Sequence, residues 1–231
     1  MKKNIIVTGA SRGIGFETVT YLAKRDCELL AIARSEDHLS ELKQKNPDAI
    51  RTLALDITKK EAPKTLSDYL EENEISLDGV IHNAGALVNK PFMELTDEDW
   101  DLQLSVNLMA PVRLTRALVP YMNDDAHILN ISSMGGFQGS DKFPGLSAYS
   151  CSKGALSILT ECLAVELKEY KITSNCLCLG AVNTEMLQEA FPGIEAPLKP
   201  EEMAQFIGNY FLTASKFMNG QIIPVALQSP G

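Results

Sequence analysis

Long apolar stretches are missing from this chain of 231 residues. No segment approaches the roughly 20 apolar residues that a membrane-spanning helix needs, so a membrane is not an expected partner. Lys2 and Lys3 stand at the start, but the apolar run after them is only Ile5-Ile6-Val7. That is too short for the core of a signal peptide. Cysteine is sparse and odd in number, five, without C-x-x-C spacing. This excludes a disulfide framework and a zinc site, and no other metal site is expected. Cys176 and Cys178, two apart in a strand-like run, should share one face as reduced core residues. Positive charge is short as well. The formal net charge is −9, which argues against nucleic acid or an anionic surface as partner. Internal repeats, low-complexity tracts and linkers are lacking too. The expectation is a soluble cytoplasmic protein forming a single domain over residues 1–231.

Hydrophobic content of 45% and charged content of 22% are ordinary for a globular chain. Strand-like runs recur at 5–8, 28–33, 52–55, 79–82, 127–131, 173–179 and 221–226. Helical patterns lie between them. Thr58 and Glu61 read as a capping box opening a helix that ends near Asn73. Thr96, followed by Asp97, Glu98 and Asp99, reads as the cap of another, with Leu102, Val106, Met109 and Leu114 on its buried face. From 149 to 170, Ala155, Leu156, Leu159, Leu163 and Leu167 recur at helical spacing and predict a long amphipathic helix. Alternation of this kind predicts an α/β fold, a doubly wound and mostly parallel sheet of about seven strands with helices on both faces.

Three glycines, Gly9, Gly13 and Gly15, follow directly on the first strand, with Ala10, Ser11, Arg12 and Ile14 between them. After Gly15, the spacing of Phe16, Val19, Leu22 and Ala23 is helical. A strand, a glycine turn and a helix N-terminus make a phosphate cradle, because backbone N–H groups and the helix dipole both favour an anion. Arg12 adds positive charge inside the turn.

Ligands on such sheets sit outside the carboxyl ends of the strands. Asp56 closes the third strand, Asn83-Ala84-Gly85 the fourth and Ser132-Ser133 the fifth. Ser132 and Ser133 should point to opposite faces. Tyr149 and Lys153 follow at the start of the long helix, one turn apart on one face. An ammonium beside a phenol favours phenolate and lowers a pKa that starts near 10. Tyr149 is therefore a candidate proton donor or acceptor. His82 reads as a packed polar neighbour of Asn83.

Taken in order, Thr8-Gly9-Ala10-Ser11-Arg12-Gly13-Ile14-Gly15, Asn83-Ala84-Gly85, Asn107, Ser133, Tyr149-x-x-x-Lys153 and Gly180-Ala181-Val182-Asn183-Thr184 resemble the single-domain short-chain dehydrogenase/reductase family along essentially the whole chain. The resemblance implies that Tyr149 is the catalytic acid/base and that Ser133 hydrogen-bonds the reacting oxygen. It implies that Lys153 binds the nicotinamide ribose and lowers the Tyr149 pKa, and that Asn107 holds a water in a relay to Lys153. Asp56 and Ile57 would flank the adenine, and Asn83, Ala84 and Gly85 the adenosine half. Gly180, Val182 and Thr184 would border the nicotinamide. Departures are Leu179 where proline is usual, a longer interval from Ser133 to Tyr149, a short lid segment 185–199, and an unusual ending over 227–231.

Relatives specific for NAD end the second strand in an acidic residue that binds the ribose 2′-hydroxyl. Here Ala33 stands there, followed by Arg34. A guanidinium binds a 2′-phosphate that a carboxylate would repel, so NADP(H) is the expected cofactor. The expected reaction interconverts a small-molecule ketone and its alcohol. A rival reading is a 3-oxoacyl-carrier-protein reductase, which would need basic surface such as Lys90, Arg113 and Arg116. A third is an NADP-binding sensor without catalysis, for which a Ser–Tyr–Lys–Asn set has no chemical use. Met134, Phe137, Phe143, Met186, Leu187 and Phe191 point to a largely apolar substrate pocket. Family practice also implies a homodimer or homotetramer, with Leu108, Val112, Leu156 and Leu163 serving both core and seam.

Overall fold

The computed structural model describes residues 2–227. Its strands are β1 (Lys3–Thr8), β2 (Cys27–Ala33), β3 (Ile50–Ala54), β4 (Leu77–His82), β5 (Met122–Ser133), β6 (Thr173–Leu179) and β7 (Ile222–Val225). All join one sheet in the order β3-β2-β1-β4-β5-β6-β7, and every pairing is parallel. The helices are α1 (Gly13–Leu22), α2 (Glu36–Lys45), α3 (Ala62–Glu72) and α4 (Asp97–Leu104). After them come α5 (Ala110–Leu118), α6 (Ser147–Glu166), α7 (Glu185–Ala190) and α8 (Pro200–Ala214). The chain winds outward from β1 through β2 to β3, then returns and winds the other way from β4. The crevice at that reversal, outside the ends of β1 and β4, is where such sheets bind ligands.

Alternation along the strands divides the core. Ile5 and Val7 face one side, with Val19 and Leu22 of α1 and Ile207 and Phe211 of α8. Ile6 and Val80 face the other, with Leu66 of α3 and Leu114 and Leu118 of α5. Both strand faces are covered, which is why the strands read as continuous apolar runs. Cys176 and Cys178 are buried on one face of β6 as free thiols, as expected. No helix among the described residues is long and apolar enough to cross a membrane. The C-terminal residues 228–231, part of the unusual ending, lie outside the described residues.

Three local readings are corrected. Thr58 does not cap α3; its N–H and hydroxyl both donate to Asp56, and Glu61 takes the N-cap without a side-chain bond. The second expected cap does form, as a reciprocal pair between Thr96 and Asp99. Past it, however, Leu102 and Met109 are exposed while Gln103 and Asn107 are fully buried. A π-helical turn at Ser105–Met109 and the demand of a neighbouring loop for hydrogen bonds turn the polar residues inward. In α6, likewise, the buried face is Ser152, Lys153, Leu156, Ser157 and Thr160, and Ala155, Leu159 and Leu163 are only partly covered.

Candidate active site

The glycine turn is tight because backbone crosses backbone there. Gly9 has φ +69, and a Cβ on it would lie 2.7 Å from the Ala84 Cα. A Cβ on Gly15 would lie 2.2 Å from the Gly9 carbonyl oxygen, so any side chain would force the turn open. Asn83 stitches the turn to β4: its Nδ2 donates to the carbonyls of Thr8 and Gly9, both at 3.1 Å. The Thr8 hydroxyl in return accepts from the N–H groups of Asn83 and Ala84. Helix α1 begins with no side-chain cap and no acidic residue in its first turn. Its first N–H groups therefore face outward without an internal partner.

A cleft of about 1150 Å³ opens above this turn. Gly9, Ser11, Arg12, Gly13, Ile14 and Gly15 border it, as do Arg34, Asp56 and Ile57. Asn83, Ala84 and Gly85 line its middle. Ser133, Tyr149, Lys153, Gly180, Val182 and Thr184 line the far part. Residues from seven places in the sequence thus converge: six lie at or just past the carboxyl end of a strand, and Tyr149 and Lys153 are brought there by the first turns of α6. Arg34 follows β2 directly, is exposed, and makes no ion pair among the described residues. The Asp56 carboxyl is held below the usual carboxylate range, chiefly by the Thr58 hydroxyl, with Lys59 and Arg34 assisting.

At the far part, Lys153 is 3% exposed and its Nζ donates to the Ile131 carbonyl at 2.8 Å. Burial lowers its pKa to about 8, against the raising influence of Cys176 and Cys178, so it stays mostly protonated at neutral pH. The expected lowering of the Tyr149 pKa is not found. Burial pushes the phenol up, and the Ser133 hydroxyl pulls it only part of the way back. The ammonium lies 6.0 Å from the Tyr149 ring centre and is committed to the Ile131 carbonyl, so its field does not outweigh burial. Tyr149 holds its proton. Ser132 and Ser133 do point to opposite faces: Ser132 donates to the Lys153 carbonyl under α6, while Ser133 opens onto the cleft and accepts from the Gly135 N–H.

Asn107 lies behind the cleft wall, fully buried. Its Oδ1 accepts from the Ala86 N–H at 2.8 Å, and its Nδ2 donates to the Ala86 carbonyl and the Ser152 hydroxyl. One turn earlier, Gln103 accepts from the Val88 N–H. Two amides on one helix therefore hold the loop after β4 as a neighbouring strand would. A Cβ on Gly85 would be 3.5 Å from Asn107 Oδ1 and 3.6 Å from Lys153 Nζ, so both polar atoms flank that bare glycine. Ser152 passes the contact on by donating to the Tyr149 carbonyl at 2.7 Å.

Some expectations need revision. Arg12 does not reach freely into the turn; it is ion-paired with Glu185 and Glu189 of α7. Phe137 packs beneath Met134 against Cys176 and Cys178 instead of lining the cleft. Lys90 is bound to Asp99 at 2.7 Å, and Arg113 donates to the Thr58 carbonyl, so the trio of cations with Arg116 forms no free patch. Leu156 is 1% exposed and serves the core alone. His82 is buried as expected, against the Thr115 hydroxyl. The sequence reading missed Gln103, Ser152, Glu185 and Glu189. The i,i+4 spacing of Gln103 with Asn107 and of Glu185 with Glu189 is a signal for three of them; nothing local marks Ser152.

Comparison with known proteins agrees with this architecture. The family described as short chain dehydrogenase matches residues 3–195. An uncharacterized oxidoreductase of Staphylococcus aureus is 27% identical over 226 residues, covering 96% of each chain. A 3-oxoacyl-[acyl-carrier-protein] reductase of Thermotoga maritima is 28% identical over 240 residues, again covering 96% of each. A solved short-chain dehydrogenase/reductase of Serratia marcescens superposes with a TM-score of 0.87 at 26% identity, covering 96% of both chains. With the glycine turn, the seven-stranded parallel sheet and a family match over most of its length, the chain belongs to the short-chain dehydrogenase family and is an oxidoreductase of that family.

Proposed function

We propose that this protein is an NADP(H)-dependent oxidoreductase interconverting an uncharged, largely apolar ketone and its secondary alcohol. The observation that carries the reading is the convergence of Ser133, Tyr149 and Lys153 on one cleft that also holds the glycine turn and Arg34. The cleft fits a dinucleotide. Its volume exceeds the roughly 300–1,000 Å³ of pockets for smaller ligands, and the uncapped N-terminus of α1 suits a pyrophosphate. Bound there, a reduced nicotinamide would supply hydride to the carbonyl carbon.

The chain's own residues do the rest. Ser133 donates a hydrogen bond to the carbonyl oxygen, and Tyr149 delivers the proton as negative charge builds on it. A phenol kept neutral by burial is loaded for reduction. Lys153 binds the ribose and presents its charge to Tyr149; leaving the Ile131 carbonyl for the ribose hydroxyls would bring it into this role. Asn107 fixes the loop at Ala86 and, beside Gly85, offers Oδ1 to a relay water. Arg34 binds the 2′-phosphate; Asp56 and Ile57 border the adenine; Asn83, Ala84 and Gly85 line the adenosine half; Gly180, Val182 and Thr184 meet the nicotinamide side.

The substrate end supports an uncharged substrate. Leu102, Val106, Phe143, Met186, Phe191 and Ile194 line it. The Thermotoga relative's name favours a carrier-bound acyl substrate as second reading, yet Lys90 and Arg113 are already engaged. Residues 1–231 are read as one catalytic domain, since every described strand joins one sheet. A homodimer or homotetramer is proposed as well: Ile158 and Val165 lie 59% and 76% exposed on α6, and Met109 is exposed nearby in sequence to α5. Light scattering tests it; a particle of about 25 kDa at micromolar concentration would contradict it. For function, a panel of ketones followed by NADPH absorbance decides. Turnover of apolar ketones with NADPH is expected; no turnover of any ketone, or tighter binding of NADH, overturns the corresponding part.

A further inference from the structure

Helix α7 is short, and its hold on the rest of the molecule is unusual. Thr184 caps it, accepting from the Leu187 N–H, and the Thr184 methyl lies 3.4 Å from where a Cβ on Gly13 would be. The base of α7 therefore rests against the glycine turn. At its other end the Asn89 amide donates to the Ala190 carbonyl at 2.9 Å, tying α7 to the loop after β4. The helix thus spans the cleft from one wall to the other.

On the glycine-turn side the tie is a clasp of charges. Arg12 Nη1 donates to Glu185 Oε2 at 2.8 Å and to Glu189 Oε1 at 2.6 Å, and Nη2 donates to Glu189 Oε2 at 3.3 Å. The two glutamates stand one turn apart on one face of α7, so a single guanidinium meets both. A phosphate would need the same planar fork of N–H donors. It cannot take that fork without displacing the carboxylates from it.

We propose that Glu185 and Glu189 are specificity-determining residues that hold Arg12 on the lid and set it against the 2′-phosphate. A cofactor lacking that phosphate leaves the clasp shut; one carrying it draws Arg12 away and frees α7. The inference rests on the reading that a nicotinamide dinucleotide occupies this cleft. Arg34 then anchors the 2′-phosphate first, and Arg12 joins it only at the cost of lid closure.

The test is a cycle of four proteins: wild type, Glu185→Gln/Glu189→Gln, Arg12→Met, and all three changes together. NADPH and NADH are titrated separately onto each by fluorescence. The paired glutamine variant should bind NADPH about five-fold tighter, with little change for NADH, in keeping with the modest strength of exposed ion pairs. In the Arg12→Met background the same two changes should have no effect on NADPH. Equal tightening of both cofactors, or tightening that persists without Arg12, overturns the proposal, because plain removal of negative charge would do that. Hydrogen exchange of the cofactor-free protein across 184–191 gives a second readout: it should quicken equally in the glutamine pair and in Arg12→Met, and no change overturns the clasp. A wild type that prefers NADH would defeat the NADP(H) reading while leaving the shift in cofactor ratio to decide the clasp.

Discussion

Helices α5 and α6 cover the same face of the sheet, yet what they bury differs. Under α5 the contact is mainly aliphatic, with Ala110, Leu114 and Leu118 meeting Ile6, Val80 and Ile128 and a single polar pair, His82 with Thr115. Under α6, Thr160 accepts from the Asn130 amide at 2.9 Å, and Ser132 donates to the Lys153 carbonyl at 2.8 Å. The Ser157 hydroxyl also lies 3.7 Å from the sulfurs of both Cys176 and Cys178. An aliphatic seam stabilises by area removed from water and tolerates small slides. A seam of directed hydrogen bonds fixes the rotation and height of its helix. It is α6, not α5, that carries Tyr149 and Lys153. The polar seam is the means by which their positions are set.

The sharpest division between the two seams is expected from Tyr149→Phe. Turnover should fall by roughly 10²–10⁴-fold, while thermal midpoint and NADPH affinity stay near wild type. Retained activity on an identified ketone would remove α6 from the chemistry. Next comes Leu114→Ala under α5, expected to cost about 2–5 kcal/mol in urea unfolding with unchanged turnover per folded molecule. A loss of specific activity there would show that the aliphatic seam positions the site as well.

Acid should reach both faces of the sheet. His82, bound to Thr115 of α5, and His127, bound to the Phe211 carbonyl of α8, have pKa values lowered by burial from 6.5 to about 4. The unfolded chain thus takes up each proton first as pH falls. Stability present above pH 6.5 is lost between 6.5 and 4, by about 3 kcal/mol for each histidine. Urea midpoints measured across this range should drop, and His82→Asn should flatten the slope by one histidine's share. The smallest effect is Thr160→Val, which leaves the Asn130 amide without its acceptor and should cost about 1–3 kcal/mol. If it also impairs turnover more than Leu114→Ala does, the polar seam governs the geometry of Tyr149.

Legibility in the sequence followed the same divide. The glycine turn, the strand ends and the motif Tyr149-x-x-x-Lys153 were readable because each depends on local spacing. The sheet was readable because covered strands must be apolar on both faces. The buried sides of α4 and α6 were not, since periodicity counts apolar residues. Gln103, Asn107, Ser152 and Thr160 are buried by partners distant in sequence that nothing nearby announces. The raised pKa of Tyr149 is not legible for a related reason: spacing places a cation beside it but gives no measure of burial. Arg12 is legible as a cation at the turn, but its ion pairs are not, because the partners lie over 170 residues away.

Strand β7 ends the sheet, and its third residue is Pro224. The carbonyls of Gln221 and Val225 accept from Cys176 and Gly180, so by alternation Ile222 and Pro224 turn their backbone groups away from β6. One of those two positions has no N–H to offer. A strand from another molecule docking along this margin would find a single donor where a regular edge has one at every second residue. Growth of the sheet by capture of a stray chain is thereby disfavoured at the open side of β7.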